Sequence, residues 1–248
     1  MRAHGFTVLF LLIPLLAIRT TPAAAATEYV KNGSFSEGDF KANSGFDHIV
    51  IFRPNVSGPA PTSWAPEIGE VAWVEGGNQF IPADAGEKFL DLTGTDDTLP
   101  FKGVSQTLRL LERGHTYQVS LRLGTYPNSD RPEFAGPVAV EVRIETGTIV
   151  TNLCQSNPPL DPNNKKVQFE PCTFKFVANA PETVIHIRGA AGQKFIGIDD
   201  VSVTYVSPIP GWVRQFVKAE VIILLLGLIV LLWLLFGRRR IVRDVERG

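Results

Sequence analysis

The sequence predicts an all-β ectodomain, an antiparallel β-sandwich or jelly roll, followed by one C-terminal transmembrane helix. Three observations point there. Short strand-like segments recur between clusters of turn-forming residues. No segment of the ectodomain sustains an apolar period of 3.6 residues. Val221–Gly237 is an unbroken apolar run of seventeen residues, close to the roughly 20 that a helix needs to cross a bilayer.

The two ends of the chain set its topology. Arg2 and His4 precede an apolar run from Phe6 to Ile18, and Ala23–Ala26 follow. That order reads as a secretory signal peptide over residues 1–26, cut before Thr27. A first transmembrane helix is the competing reading, and Pro14, the short run and the alanine-rich exit argue against it. At the other end, residues 219–237 read as the membrane span and 238–248 as a cytoplasmic basic tail. Arg238, Arg239 and Arg240 directly follow the span and hold it by the positive-inside rule. Trp212 and Trp233 suit the two interfaces. The layout is single-pass type I in the cell membrane, with the ectodomain, 27–207, extracellular or periplasmic. Residues 208–218 form a juxtamembrane linker that opens in the proline-stiffened "SPIPGW" stretch.

Within the ectodomain the predicted strands run in order. They are "EVAWVE" (70–75), "KFLDLTG" (88–94), "GVSQTLRL" (103–110), "TYQVSLRLG" (116–124), "PVAVEVRIE" (137–145), "QFEPCTFKFVA" (168–178), "ETVIHIRG" (182–189) and "FIGIDDVSVTY" (195–205), with an opening strand near "NGSF". Val138, Val140, Val142 and Ile144 share one parity, and Ile185 and Ile187 oppose Val184, His186 and Arg188. Between the strands lie "NG", "GG", "PNSDRP", "NPPLDPNN" and "GAAGQ", where Gly, Pro, Asn and Asp make turns. Strands this short and this evenly spaced predict a sandwich, most simply a jelly roll.

Charge and cysteines narrow the class. Residues 27–218 hold 17 Lys and Arg against 22 Asp and Glu, a net charge of −5, with no basic stripe. A nucleic-acid partner is not expected. Cys154 and Cys172 lie in an exported segment and predict a disulfide across the proline-rich "QSNPPLDPNNKK" loop. A redox or metal pair would need C-x-x-C spacing or nearby histidines, and the sequence offers neither. His48, His115 and His186 are far apart, no G-x-S-x-G elbow or P-loop occurs, and Asp96–Asp97 reads as a solvated turn. The chain is not expected to be an enzyme. Asn32-Gly-Ser34 and Asn55-Val-Ser57 are glycosylation sequons, meaningful only in a eukaryote, and Asn32 also serves a turn.

One residue breaks the pattern. In "FIGIDDVSVTY" strict alternation puts Asp199 on the inward face with Val201, Val203 and Tyr205, where an unpaired charge is expensive.

Taken in order, "NGSF", "PTSW", "GEVAWVEGGNQFIPADAGEKFLDLTG", "GVSQTLRLLERGHTYQVSLRLG", "GPVAVEV", "CTFKFVANAPETVIHIRG" and "IGIDDVSV" resemble a known family. It is the galactose-binding-like jelly-roll domain of plant cell-wall proteins of unknown function. The chain also looks like bacterial surface proteins that join this domain to interchangeable C-terminal anchors. The resemblance implies non-catalytic binding of cell-wall polysaccharide or a wall protein. In related jelly rolls a structural calcium ties the first strand to the last. The matching positions are Ser36 and Glu37 after "NGSF", and Asp199. The usual Glu directly after the Phe is Ser36 here, so Glu37 comes one residue late and faces the other way on a strand. Three readings of Asp199 follow: calcium ligation, hydrogen bonds from backbone N–H groups of the "NGS" turn, or a solvated carboxylate at a strand end.

A sugar site needs aromatic faces with amides and charged groups beside them. The candidates are Trp64, Trp73, Phe80 and Tyr126, with Asn128, Asp130 and Arg131 next to Tyr126. Trp64 suits packing under a loop, the face of Trp73 is ambiguous, and Tyr126 in "TYPNSDRP" is the expected exposed aromatic. Two functions remain. One is a membrane-anchored carbohydrate-binding module for cell-wall or matrix polysaccharide or glycoprotein. The other is a protein-binding adhesin or accessory subunit that uses the sandwich as a scaffold.

The topology is open to direct test. A tag after Gly248 should be protected from protease in intact cells and one after Thr27 exposed; reversed accessibility overturns the type I assignment.

Overall fold

Eleven strands form two antiparallel sheets in the computed structural model. The structure describes residues 26–43, 45, 47–77, 87–95, 102–163, 166–192 and 194–208, with 224, 226–229, 231 and 232 near the C-terminus. The strands are β1 (Ile49–Phe52), β2 (Ala65–Ile68), β3 (Val71–Glu75), β4 (Lys88–Asp91), β5 (Gly103–Leu108), β6 (Thr116–Thr125), β7 (Val138–Glu145), β8 (Ile149–Ser156), β9 (Gln168–Val177), β10 (Thr183–Ala191) and β11 (Gly197–Tyr205). The six-stranded sheet runs β1-β3-β4-β11-β6-β9 and the five-stranded sheet β2-β5-β10-β7-β8. This is an all-β antiparallel sandwich, as the alternation predicts.

The main core lies between the sheets. Val138, Val140, Val142 and Ile144 face it from β7, and Ile185 and Ile187 from β10. Leu121, Leu123, Ile198, Val201 and Val203 meet them from the six-stranded sheet. A second apolar layer covers the outer face of the six-stranded sheet. There Ile49, Ile51, Ala72, Val74 and Phe89 pack under Tyr126 and Phe195. This face is therefore closed by loops, while no such layer covers the five-stranded sheet among the described residues.

Strands β1, β2 and β8 are absent from the sequence prediction. β1 is a four-residue apolar run without alternation, and β2 carries Pro66. β8 is an edge strand whose Ile149 and Leu153 point outward and are exposed, so its apolar positions mislead. The expected opening strand at "NGSF" is a turn, with Asn32 and Phe35 both at φ 51°. What replaces it is a single bridge between Glu28 and Thr204.

Asp199 needs a correction. β11 pairs Asp199 with Arg122 and Ser202 with Ser120, so β11 carries one extra residue there. That bulge, with Asp200 at φ 48°, reverses the parity of the strand. Ile198 faces the main core before the bulge, and Val201 and Val203 face it afterwards. Asp199 is buried, yet it points to the outer face of the six-stranded sheet, away from Val201 and Val203.

Leu224, residues 226–229, Leu231 and Leu232 are helical and exposed, but no helix among the described residues is long and apolar enough to cross a membrane. Most of the expected span (219–237), with the signal peptide and the basic tail, lies outside the described residues.

Cys154 of β8 and Cys172 of β9 form a disulfide between the edge strands of the two sheets, as expected. It closes a loop of sequence separation 18. Chain-entropy arguments give such a link roughly 3 kcal/mol. The double substitution Cys154→Ala/Cys172→Ala should lower unfolding free energy by about that amount in denaturant titration; unchanged stability overturns the structural role.

Candidate functional site

The outward positions of the five-stranded sheet carry a ladder of planar polar groups. Glu67 projects from β2, next to an irregularity in its pairing with β5. Its Oε1 meets His186 Nδ1 of β10 in a short contact, and its Oε2 accepts from Arg188 Nε at 3.0 Å. Gly103 makes this reach possible. A Cβ there would lie 2.6 Å from Arg188 Cγ and 2.9 Å from Ile187 O, so only glycine lets the arginine stem cross β5. On the other side, Arg143 Nη2 of β7 pairs with Glu145 Oε1 at 2.6 Å, and His186 Nε2 lies 3.6 Å from the same oxygen.

Electrostatics favours the charged form of Glu67. Burial works to raise the Glu67 pKa, but hydrogen bonds from His186 and Arg188 outweigh it and hold the carboxyl below its ordinary value. Two nitrogens, Arg143 Nε and His186 Nε2, are buried without a hydrogen-bond partner. Both atoms are covered by their neighbours, so the outward polar groups of the ladder are the carboxylates and the guanidinium ends of Arg143 and Arg188.

A groove adjoins the ladder. Its volume is about 720 Å³, and it is lined by Tyr29, Lys31, Ala65, Ser105, Thr107 and Arg109 among others. Ser105 joins the two features, since it sits directly across from His186 on one side and Ala65 on the other. The N-terminal segment forms one wall. Gln106 fixes it by accepting from Lys31 N at 2.7 Å and donating to Lys31 O at 2.8 Å.

The sugar candidates read from sequence do not form this site. Trp73 is fully buried in the main core, with Nε1 donating to Phe35 O at 2.9 Å. Tyr126 is buried rather than exposed, because "TYPNSD" folds over the six-stranded sheet as part of its second apolar layer. Asn128 is buried beneath it and organises the turn, its Oδ1 accepting from Asp130 N at 2.8 Å. Asp130 is exposed, and Arg131 lies over the Phe134 ring at 5.3 Å. Trp64 is buried, as loop packing predicts, with Nε1 donating to Asn32 O. Phe80 lies outside the described residues. No aromatic side chain stands on the outward face of the ladder among the described residues.

The calcium set does not assemble either. Ser36 Oγ pairs with Ser34 Oγ, and the Glu37 backbone is held at both ends by the Asn32 side chain. The charges that act most on Asp199 are Asp200, Glu87 and Arg122, and Glu37 is not one of them. Among the described residues, no group of three or more His, Cys, Asp or Glu is placed to hold a metal. The bulge turns Asp199 away from the face that alternation assigned it. Asp199 instead accepts from the backbone N–H of Asp200 at 2.7 Å, not from the "NGS" turn. Asn32, with all its side-chain bonds inside the 32–37 turn and to Thr62, serves structure; Asn55 is exposed in a turn at φ 62°.

Sequence reasoning missed Glu28, which does the tying expected of Asp199. Its Oε1 accepts from Tyr29 N, Val30 N and Val203 N, and its Oε2 accepts from Ser202 Oγ. It also missed Glu67, Gln106, Arg143 and Glu145. His186 stood out as a polar residue on an alternating strand and as one of three histidines without metal-ligand spacing.

No protein-family model and no curated protein matches the chain. Among solved structures, it is similar to the CBM22-1 xylan-binding domain of Paenibacillus barcinonensis Xyn10C, with 13% identity, a TM-score of 0.44, and 75% of this chain and 99% of that one covered. It is also similar to TmCBM61 in complex with β-1,4-galactotriose, with 13% identity, a TM-score of 0.34, and 73% and 100% covered. A third is the arabinose-bound α-L-arabinofuranosidase MgGH51, with 14% identity, a TM-score of 0.44 and 78% of this chain covered, but only 28% of that chain. Likenesses of this strength carry no functional weight.

Asp199 sets a pH dependence. Burial, with Asp200 and Glu87 nearby, pushes its pKa up to about 7 against the pull of the Asp200 N–H and Arg122. A raised carboxyl pKa favours the folded state while the proton is held. Its contribution is full below the unfolded value near 3.8 and is lost as pH rises through about 7. Asp199→Asn should therefore match wild type near pH 4 and exceed it at pH 8, by on the order of 2 kcal/mol in denaturant titration. A constant difference between the two pH values would show that Asp199 keeps an ordinary pKa.

Proposed function

We propose that the chain is a membrane-anchored, non-catalytic binding module that holds polysaccharide on the exposed face of its five-stranded sheet. The observation that carries this reading is the Glu67–His186–Arg188 and Arg143–Glu145 ladder on the outward face of the five-stranded sheet. Vicinal sugar hydroxyls both donate and accept. Fixed carboxylates and guanidinium groups, side by side on a partly exposed face, match that pattern. The ladder binds by hydrogen bonding rather than by ring stacking. The family resemblance read from the ordered motifs supports the same ligand class.

Anchoring belongs to the proposal. The apolar run Val221–Gly237, stopped by three arginines, is suited to hold the domain at the outer surface of a cell membrane after cleavage at residue 26. A protein partner is the second reading, and the paired donors and acceptors favour hydroxyl-rich ligands over it.

The test is a panel of soluble cell-wall and matrix polysaccharides against the full chain in phosphatidylcholine nanodiscs. At least one should bind. Glu67→Gln should weaken that binding about tenfold by removing one charge-assisted acceptor. Lys175→Ala, on the opposite sheet, should leave it unchanged. If no polysaccharide binds, the proposal fails.

A further inference from the structure

We infer that the groove beside Tyr29 takes the acidic residues of a uronate-containing polysaccharide, with Lys31 and Arg109 meeting its carboxylates. This rests on the polysaccharide reading above and specifies the sugar class. The groove volume of about 720 Å³ lies within the roughly 300–1,000 Å³ usual for small-ligand sites.

Charge decides the ligand. The ectodomain as a whole carries an excess of carboxylates, so a polyanion gains nothing from the general field. The groove reverses this locally. Lys31 lines it and has no ion-pair partner among the described residues. Arg109 also lines it, is 73% exposed, and touches Glu182 only at the 4.0 Å limit. Among the described residues Glu28 is the one carboxylate in the lining, and its oxygens are already taken by three backbone N–H groups and the Ser202 hydroxyl. Lys31, and Arg109 with its one long contact to Glu182, stand beside a carboxylate that is fully engaged, and together they select an anionic ligand.

Geometry supports the same occupant. Lys31 starts from a fixed backbone, because Gln106 bonds both its N–H and its C=O. Tyr29 is held edge-on against Tyr117 at 5.2 Å and gives the groove a fixed apolar wall. Ser105 and Thr107 supply hydroxyls on the floor. A polymer leaving the groove past Ser105 runs onto His186, so the acidic residue and its neighbours occupy one continuous track.

The test uses the full chain in phosphatidylcholine nanodiscs and isothermal titration calorimetry. The probes are oligogalacturonate and a neutral galactan oligosaccharide of equal length. Oligogalacturonate should bind at least tenfold more tightly. Its advantage should shrink as salt rises, because exposed charges are screened within about 8 Å at 0.15 M ionic strength. Lys31→Ala/Arg109→Ala should abolish the preference without lowering the melting temperature, and Lys31→Arg should keep it. Equal affinity for the two probes, or an undiminished preference in the double variant, overturns the inference and leaves the polysaccharide reading standing. Binding of neither probe, nor of any other glycan, overturns both.

Discussion

The sandwich depends on how one strand edge is satisfied. β11 lies between β4 and β6, but its ladder with β4 includes only Gly197 and Ile198. Beyond the bulge, the N–H and C=O groups on that side would be left buried without partners, at a cost of about 1–3 kcal/mol each. The N-terminal segment takes the vacated place. Val201 N donates to Gly33 O, Tyr29 N donates to Val203 O, and Val203 N donates to Glu28 Oε1. The fit is close enough to require glycine, since a Cβ on Gly33 would lie 1.8 Å from Val201 O. The same segment then reaches the other sheet through Lys31 and Gln106. One short, irregular stretch completes the six-stranded sheet and stitches it to the five-stranded one.

This arrangement places the site. The segment that closes the edge of β11 is also the wall of the groove, so Tyr29 and Lys31 owe their positions to backbone bonds rather than to a flexible loop. Meanwhile the second apolar layer closes the outer face of the six-stranded sheet and absorbs Tyr126. Under the proposed function, ligand access falls to the other sheet, where the polar groups are already paired with each other. Such pre-pairing lowers the cost of binding, because few side-chain rotamers remain to be fixed.

Much of the fold was legible because its information is local. β6, β7 and β10 alternate without interruption, and turn residues mark their ends. The disulfide followed from compartment and cysteine count. The site was less legible. Counting parity along β11 presumes an unbroken period, and a single inserted residue moved Asp199 to the other face. The burial of Tyr126 and Asn128 depends on a second layer assembled from β1, β3, β4 and the loop at Phe195, which no local pattern reveals. Glu28 acts on Val203 across a separation of 175 residues, and Gln106 on Lys31 across 75. Glu67 and His186 meet across 119. Polar residues that work at such distances look like ordinary surface residues in one dimension.

The pairing of Glu28 with Thr204 also bears on how the proposed site would face a membrane. It brings the start of the ectodomain and its last strand to the same end of the sandwich. The groove is built on that start, and Thr27 and Glu28 belong to its lining. Under the proposed anchoring, the chain continues from Tyr205 through residues 208–218 to the span, so the groove belongs to the membrane-proximal end. Under that anchoring, a ligand in the groove would sit at the end of the sandwich from which the chain leaves toward the span. That placement leaves the side chains in the lining, Lys31 and Arg109 with the Ser105 and Thr107 hydroxyls, to select the chemistry of the occupant.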